Sequence, residues 1–330
     1  MDRRGCLEKE GVMDDLRPKV SIIGCGNVGM RYAYALMSRA LARQIVIVDL
    51  DRKRLEGEVM DLSHGAPYIP AVEVIAGDYP DIRNSDIVVI TAGSKQKPGQ
   101  SRIDLVRDNA GLFKRMIPEI IKHAPNALLL VVTNPVDILA YAAYKISGKP
   151  AGQVMSSGTV LDTARFRFLL SKHCGVDPHN IHAYILGEHG DSEFAVWSKA
   201  MIGGALFKNY CSVCSNNHIC RPEDEFNSIF AEVRDSAYKI IERKGETSYG
   251  IGLALVRITQ AVINDENAIL PVSSLINGYL GVKDVYLSLP AVVNKSGVRQ
   301  VLELDMDESE QKAFRNSAEA VKKVIKDVGL

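Results

Sequence analysis

A glycine-rich turn between two apolar segments constrains the fold of this chain most strongly. Residues 19–24 have high β-propensity, and the pattern G-x-G-x-x-G occupies Gly24, Gly26 and Gly29 directly after them. A helical pattern of apolar residues follows, and residues 44–49 form a second apolar segment that ends in Asp49. In this strand–turn–helix–strand context, the glycine pattern predicts a dinucleotide-binding unit rather than a merely structural turn.

The three glycines and the acid have different expected tasks. Gly24 permits the tight turn, Gly26 lets the backbone approach a pyrophosphate, and Gly29 lets the helix pack against its strand. The N-terminus of that helix faces the anion. A carboxylate at Asp49 can bind both ribose hydroxyls and would repel a 2′-phosphate, so we expect NAD rather than NADP.

The alternation of strands and helices continues through the first half of the chain. Apolar residues predict strands at 72–77, 85–93 and 127–133 and a helix at 105–123. Fully apolar strands between helices are typical of a parallel sheet that is covered on both faces. We therefore predict an α/β fold, with a doubly wound Rossmann domain at residues 19–158.

Sites in such sheets lie beyond the carboxyl ends of the strands. Residues 24–29, 93–102 and 133–135 are therefore expected to form loops on one edge of the sheet.

The remaining residues, 159–330, read as an α+β substrate domain, and the length of 330 residues favours two domains. The expected elements are a helix at 160–174, a strand at 182–186, helices at 223–245 and 250–264, a hairpin of residues 268–280 with 285–293, and a helix at 308–328.

Composition excludes several classes of protein. Forty basic residues balance forty acidic ones without blocks of like charge, which argues against a broad nucleic-acid surface. The apolar segments are too short to span a bilayer. Residues 1–18 are charged, resemble no secretory signal, and read as a loosely docked N-terminal extension, so a cytoplasmic location is expected.

The six cysteines do not suggest a disulfide framework in a chain of this length. Cys211, Cys214, His218 and Cys220 have the ligand types of a zinc site, but their spacing matches no standard pattern. We expect reduced thiols and no metal in residues 211–220.

A histidine between glycines, in Gly187-Glu188-His189-Gly190-Asp191, follows the predicted strand at 182–186. Imidazole suits proton transfer near neutral pH. The alternative is an ordinary surface turn, and the pentapeptide alone does not exclude it.

The predicted helix at 160–174 carries charges in a largely apolar context. Asp162 and Arg165 are three residues apart and share one face, whereas Arg167 points to nearly the opposite side. Since buried arginines usually have anionic partners, Arg165 is a candidate for binding an acidic substrate. A salt-bridged surface helix is the alternative.

Four motifs together resemble those of the lactate/malate dehydrogenase family. They stand in the family's order over residues 19–330: the glycine turn, Thr133-Asn-Pro-Val-Asp137, Asp162-Thr-Ala-Arg165 and the pentapeptide around His189. Within the family, the bacterial lactate-specific members are the most similar. The resemblance implies reversible hydride transfer between NADH and a 2-oxo acid, here pyruvate giving L-lactate.

The resemblance also implies residue roles. His189 exchanges the proton, Asp162 bonds its other ring nitrogen, and Arg165 binds the substrate carboxylate. Arg102, on a lid-like loop, polarises the carbonyl. Asn134 and Thr247 contact the substrate in the same pocket. The implied cofactor contacts are Gly24, Gly26, Asn27, Val28, Gly29, Asp49, Tyr79, Gly93, Ser94, Val132, Asn134 and Ser157.

Gln96 is the expected determinant of the substrate. Malate-specific relatives have an arginine at this loop position, which pairs with the second carboxylate of oxaloacetate. A neutral Gln96 would leave that charge buried and unpaired, so pyruvate is favoured. Lys95 and Lys97 are expected to point away from the pocket.

Malate dehydrogenase is thus the nearest alternative. An NAD-dependent glycosidase, which needs a metal site, and a non-catalytic NAD-binding protein are more distant ones.

Arg167 and His182 match positions with which bacterial relatives bind fructose 1,6-bisphosphate between subunits. The resemblance therefore implies an activating effector site and a homo-oligomer, expected to be a tetramer. The alternative is that Arg167 makes a structural ion pair and His182 a hydrogen bond in the core.

Overall fold

The computed structural model describes residues 18–94, 99–207 and 222–330, without the side chains of Arg102 and residues 222–225. The expectations for the N-terminal extension, Gln96 with its flanking lysines, and residues 211–220 lie outside the described residues. The helices are α1 (Asn27–Ser38), α2 (Arg52–His64), α3 (Arg102–His123), α4 (Val136–Ser147), α5 (Val160–Cys174), α6 (Pro222–Lys244), α7 (Tyr249–Ile263) and α8 (Glu308–Val328).

The strands follow in chain order. They are β1 (Lys19–Ile23), β2 (Gln44–Val48), β3 (Glu73–Gly77), β4 (Ile87–Ile90), β5 (Leu128–Val131), β6 (Val154–Ser156), β7 (Ile181–His182), β8 (Ile185–Leu186), β9 (Phe194–Ala195), β10 (Met201–Ile202), β11 (Ala205–Leu206), β12 (Ala268–Leu270), β13 (Ser273–Asn277), β14 (Lys283–Ser288), β15 (Ala291–Asn294) and β16 (Gly297–Val301).

Six parallel strands confirm the predicted doubly wound sheet. Their spatial order is β3-β2-β1-β4-β5-β6, so the winding direction reverses between β1 and β4. Alternate residues of β4 pack into different cores: Val88 and Ile90 with α3, α4 and α8, and Ile87 and Val89 with α1 and α7. Both faces of β4 are therefore buried, which explains why all four of its residues are apolar.

The predicted hairpin of residues 268–280 with 285–293 is confirmed in its pairing, which keeps one antiparallel register from Ala268 opposite Val293 to Ile276 opposite Val285. Each segment contains two strands, separated by Pro271 in the first and Pro290 in the second. Proline fixes φ and lacks an N–H, which interrupts a ladder of hydrogen bonds. Strands β13 and β14, nearest the turn, extend the parallel sheet beyond β6 with antiparallel pairing. Strands β12 and β15 continue the hairpin in a separate sheet.

The predicted strand at 182–186 is likewise divided, into β7 and β8. The carbonyl of Ala183, between them, accepts a hydrogen bond from Nε of Arg167 at 3.1 Å. The Arg167 side chain thus bonds a backbone carbonyl that, in a continuous strand, would accept a hydrogen bond from a neighbouring strand. The two short strands pair with different partners, β7 with β10 and β8 with β9.

The helices at 160–174 and 308–328 have the predicted bounds, and three of their four ends carry clear signals. Helix α8 starts with a capping box of Asp307 and Glu310, and α5 and α8 end at Gly175 and Gly329 in the left-handed conformation.

The division between domains at residue 158 stays a prediction. Among the described residues, no helix has the combined length and apolarity that crossing a membrane requires.

Candidate active site

The turn after β1 is shaped by steric necessity at two of its three glycines. Gly24 has φ +114°, and a Cβ there would lie 2.6 Å from the backbone nitrogen of Ala92. A Cβ at Gly29 would lie 2.1 Å from the carbonyl oxygen of Gly24. At Gly26, by contrast, no atom comes within 4 Å of the Cβ position. This open side, at the start of α1 with Asn27, leaves the backbone accessible to a pyrophosphate.

Asp49 lies beside this turn, directly after β2. Its Oδ2 accepts the N–H of Cys25 at 2.7 Å and its Oδ1 accepts the N–H of Asp51 at 2.9 Å. Burial alone would raise the pKa of Asp49, but these hydrogen bonds outweigh it and hold the pKa below its usual value. An ionised carboxylate beside an open glycine turn fits a ribose with free hydroxyls, as in NAD.

The other predicted cofactor residues follow strand ends at the same edge of the sheet. The loops after β4 and β5 are joined by hydrogen bonds: Thr133 Oγ1 to the Ala92 carbonyl at 2.7 Å, and Asn109 to both Ser94 and Asn134. Asn109, from α3, was not anticipated from the sequence. The remaining positions are Val28 in α1, half-buried Tyr79 after β3, Gly93 after β4, and buried Val132 and Ser157 after β5 and β6.

The second half of the site is a chain of charged groups on α5 and the loop after β8. Nδ1 of His189 lies 2.7 Å from Oδ2 of Asp162. The other carboxylate oxygen of Asp162 accepts a hydrogen bond from Nη1 of Arg165 at 2.8 Å. The Asp162 side chain is 3% exposed, whereas that of His189 is 27% exposed. The imidazole is therefore held at one nitrogen and reachable from the solvent side.

These contacts set the protonation states. Burial alone would lower the pKa of His189, but the carboxylates of Asp162, Glu193 and Asp137 raise it to about 9. Burial opposes ionisation of Asp162, yet His189 and Arg165 keep its pKa below the usual value. The pair therefore exists as imidazolium and carboxylate at neutral pH, and the ring has a proton to donate.

Glu193 is a member of the site that the sequence reading missed. It is 8% exposed, and burial followed by the charge of Asp162 raises its pKa to about 8. Single ligand atoms of Asp162, His189 and Glu193 lie within 4.8 Å of one another, a spacing that a metal could use. The guanidinium bonded to Asp162 and the protonated His189 make proton exchange the better description of this cluster. An acid four residues beyond His189 was the available signal.

These groups line a cavity of about 350 Å³ between the two halves of the chain. Asn134 contributes from the sheet edge, and Arg234 and Tyr238 contribute from α6; the sequence gave no reason to select the last two. Thr247 is half-buried in the connection between α6 and α7. It is not among the described residues that line the cavity. Its role stays a prediction.

Arg102 is the first residue of α3, where Oγ of Ser101 accepts the N–H of Asp104 and caps the helix. Its side chain and the whole of Gln96 lie outside the described groups, so their roles also stay predictions.

Arg167 and Arg165 diverge as helical geometry predicts. Arg167 donates to the Ala183 carbonyl, and its guanidinium lies 5.2 Å from the ring centre of Tyr184, away from the cavity. His182, next to Ala183 on β7, is exposed. The alternative in which His182 makes a hydrogen bond in the core is therefore wrong, while an effector role is not tested by these contacts.

The fold and the cavity define a class of protein before any comparison. A glycine turn that can bind a dinucleotide lies at the carboxyl edge of a Rossmann sheet, next to a histidine–carboxylate pair. This combination is typical of an NAD-dependent oxidoreductase.

Comparison with known proteins places the chain within this class. Residues 18–156 match the family model described as lactate/malate dehydrogenase, NAD binding domain, and residues 159–329 match its α/β C-terminal domain. The chain belongs to the lactate/malate dehydrogenase family. It is an NAD-dependent 2-hydroxy acid dehydrogenase, and NAD is its cofactor.

Named L-lactate dehydrogenases are similar to this chain over most of its length. An L-lactate dehydrogenase of Thermoanaerobacter sp. (strain X514) is 51% identical over 312 residues, which cover 94% of this chain and 99% of the relative. An L-lactate dehydrogenase of Priestia megaterium is 46% identical over 304 residues, covering 92% and 94%. The crystal structure of a lactate dehydrogenase from a Medee basin deep-sea metagenome library superposes with a TM-score of 0.91 at 45% identity, covering 95% of this chain and 99% of that one.

Proposed function

We propose that the protein is an L-lactate dehydrogenase, which reversibly reduces pyruvate to L-lactate with NADH. The observation that carries the proposal is the cavity in which His189, Asp162 and Arg165 form one hydrogen-bonded chain, with distances of 2.7 and 2.8 Å. Support for lactate and for its L configuration comes from relatives such as those of Thermoanaerobacter and Priestia megaterium.

Bound NADH supplies the hydride, and the chain supplies the proton. Since Nδ1 of His189 is engaged by Asp162, Nε2 is the nitrogen that donates to the carbonyl oxygen of pyruvate. Asp162 stays ionised throughout and stabilises the imidazolium before transfer. In lactate oxidation, the neutral ring accepts the hydroxyl proton at the same atom.

Arg165 would bind the carboxylate of pyruvate. A guanidinium can donate two parallel hydrogen bonds to a carboxylate, which orients the substrate as well as binding it. Arg165 already donates to Asp162 through Nη1, so its position is fixed before substrate arrives. In the proposal, Arg102 polarises the carbonyl, Asn134 donates to the substrate from the sheet edge, and Thr247 lines the pocket.

Gln96 would select pyruvate over oxaloacetate, because a neutral side chain cannot pair with a second carboxylate. The deciding measurement is NADH oxidation with each of the two acids. We expect a strong preference for pyruvate, and Gln96→Arg should move it toward oxaloacetate by orders of magnitude. A wild-type enzyme that prefers oxaloacetate would contradict the lactate assignment.

We further propose a cytoplasmic homotetramer that fructose 1,6-bisphosphate activates through Arg167 and His182. The support is that Arg167 lies on the side of α5 away from the cavity and contacts Ala183, the neighbour of exposed His182. Pyruvate saturation curves with and without the bisphosphate test the activation, and light scattering tests the assembly. An unchanged half-saturation at neutral and mildly acidic pH would dismiss the effector.

A further inference from the structure

Asp137 is a buried acid to which the proposed mechanism gives no task. It is the second residue of α4 and is 1% exposed, between the buried side chains of Val136 and Ile138. A carboxylate in such surroundings is costly unless something compensates it. The sequence offers a signal here too, since an acid interrupts an otherwise apolar helix.

The partner of Asp137 is the main chain of His189. Oδ2 accepts the N–H of His189 at 2.8 Å, whereas Oδ1 has no hydrogen bond of standard geometry to any described residue. Burial raises the pKa of Asp137 to about 6, against the N–H of His189 and the nearby Ser273 hydroxyl. The group is therefore largely ionised at neutral pH, with one oxygen committed to the loop that carries His189.

Three successive residues of that loop are fastened through their backbones. Gly187 exchanges two hydrogen bonds with Ser288, the N–H of Glu188 donates to Oγ of Ser317 at 2.7 Å, and the N–H of His189 donates to Asp137. Of these three anchors, only the last is charged. It is also the one at the residue whose ring must face both Asp162 and the substrate.

We propose that Asp137 is a positioning residue for proton transfer: it fixes the backbone of His189 from α4, and its negative charge helps to keep the imidazole protonated. The inference rests on the proposed role of His189. The ring is thus held from two helices, by Asp162 of α5 at Nδ1 and by Asp137 of α4 at the main chain.

Other charges also act on this histidine, and a pH experiment must separate them. Asp162 and Arg165 lie on α5, and Arg234 lies on α6. The loop itself contributes three acids, Glu188, Asp191 and Glu193. Since all these groups remain in an Asp137 variant, a change in its pH profile reports the missing charge of Asp137.

Two substitutions separate the hydrogen bond from the charge. Asp137→Asn keeps an oxygen acceptor but removes the charge. Asp137→Leu removes both and keeps a branched side chain of four heavy atoms. With Asp137→Asn, the alkaline limb of the pH profile of kcat/KM for pyruvate should move to lower pH. The shift should be smaller than the shift in Asp162→Asn. At pH values below that limb, kcat should be largely unchanged. With Asp137→Leu, kcat should fall by about 10²-fold, because a misplaced catalytic group costs about that much. The Kd for NADH should not change in either variant.

A matched control is Glu310→Gln, which removes a carboxylate that is 5% exposed and accepts hydrogen bonds from Ser198; neither residue is among those that line the cavity. It should lower the Tm without moving the pH profile. An alkaline limb that stays in place in Asp137→Asn overturns the inference, even if Asp137→Leu fails to fold. His189→Gln distinguishes a failure of the proposed function from a failure of this inference. If His189→Gln retains activity, the proposed function fails. If it is inactive and the Asp137 variants behave as wild type, only this inference fails.

Discussion

The two sides of the active site are built in different ways. On the cofactor side, Gly24, Gly26 and Gly29 shape a stretch of backbone, and Asp49 is fixed by the main-chain N–H groups of Cys25 and Asp51. On the proton-transfer side, charged side chains from α4, α5 and the loop after β8 meet in a largely buried cluster. The cofactor side depends on the shape and N–H groups of the backbone, and the proton-transfer side depends on electrostatics between side chains.

The sharpest separation of the two sides should come from His189→Gln. Without the proton donor, kcat for pyruvate reduction should fall by about 10³-fold or more, within the usual range for lost acid–base catalysis. NADH binding, followed by fluorescence titration, should stay as in the wild type. A parallel loss of NADH affinity would mean that the two sides are not independent.

Asp162→Asn should have the next largest effect and reveals the electrostatics. Because the carboxylate of Asp162 raises the pKa of His189, its loss lowers that pKa. Pyruvate reduction needs the protonated ring, so wild-type activity should decline as pH rises through about 9, and the variant should decline at lower pH. We expect kcat to fall by roughly 10²-fold at neutral pH. A pH–rate profile that keeps the wild-type alkaline limb would contradict this coupling.

Arg165→Lys tests substrate orientation on the same side. Lysine keeps the charge but cannot donate two parallel hydrogen bonds, so kcat/KM for pyruvate should fall by about 10²-fold. Initial-rate measurements over a range of pyruvate concentrations show the loss. The matched control is Arg257→Lys, which should leave kcat/KM for pyruvate nearly unchanged. Arg257 lies on α7 and forms an ion pair with Glu266. Equal effects of the two variants would argue against a substrate role for Arg165.

Asp49→Ser tests the cofactor side. Loss of charge-assisted hydrogen bonds to ribose should weaken NADH binding by about tenfold and reduce the discrimination against NADPH. Asp51→Ser is the control, since serine can replace Asp51 as the N-cap of α2. The pH limb of pyruvate reduction should be the same in both variants. If it moves in Asp49→Ser, the cofactor side influences His189.

Tyr32→Phe should have the smallest effect and concerns the scaffold. The hydroxyl of Tyr32, on α1, bonds Oγ1 of Thr259, on α7, at 2.6 Å in the core. Its removal leaves Thr259 without that partner and should lower the free energy of unfolding by about 1 kcal/mol in urea titrations. Tyr34→Phe changes an exposed ring of the same helix and should have no measurable effect. A loss of activity in Tyr32→Phe before unfolding would show that the scaffold and site are more tightly linked.

The sequence predicted the sheet well where local and global signals agree. Apolar strands, the glycine turn and the bounds of α5 and α8 follow from periodicity and capping. It also predicted the hairpin of residues 268–293, but not the division of each arm at Pro271 and Pro290, because β-propensity is continuous there. The choice of partners, which sends β13 and β14 to the main sheet, depends on contacts across the molecule.

For the site, the sequence selected His189, Asp162 and Arg165 through motif order and helical spacing, and the structure places them in one hydrogen-bonded chain. Glu193 was not selected, although an acid four residues beyond His189 was an available signal. Asp137 stood within a recognised motif but received no role. Both acids matter through burial and distance, which sequence spacing does not specify.

The sequence by itself determined the dinucleotide fold and the chemistry that can occur on it. Steric rules for glycine, hydrophobic periodicity and the fixed pKa range of imidazole all act within short segments. The tertiary structure alone decided how the charges interact. Burial and distance raise the pKa of His189 to about 9 and that of Glu193 to about 8, and they bring Asp137 to the backbone of His189. Electrostatic energies depend on separation and on the surrounding medium, and both are fixed only when the chain has folded.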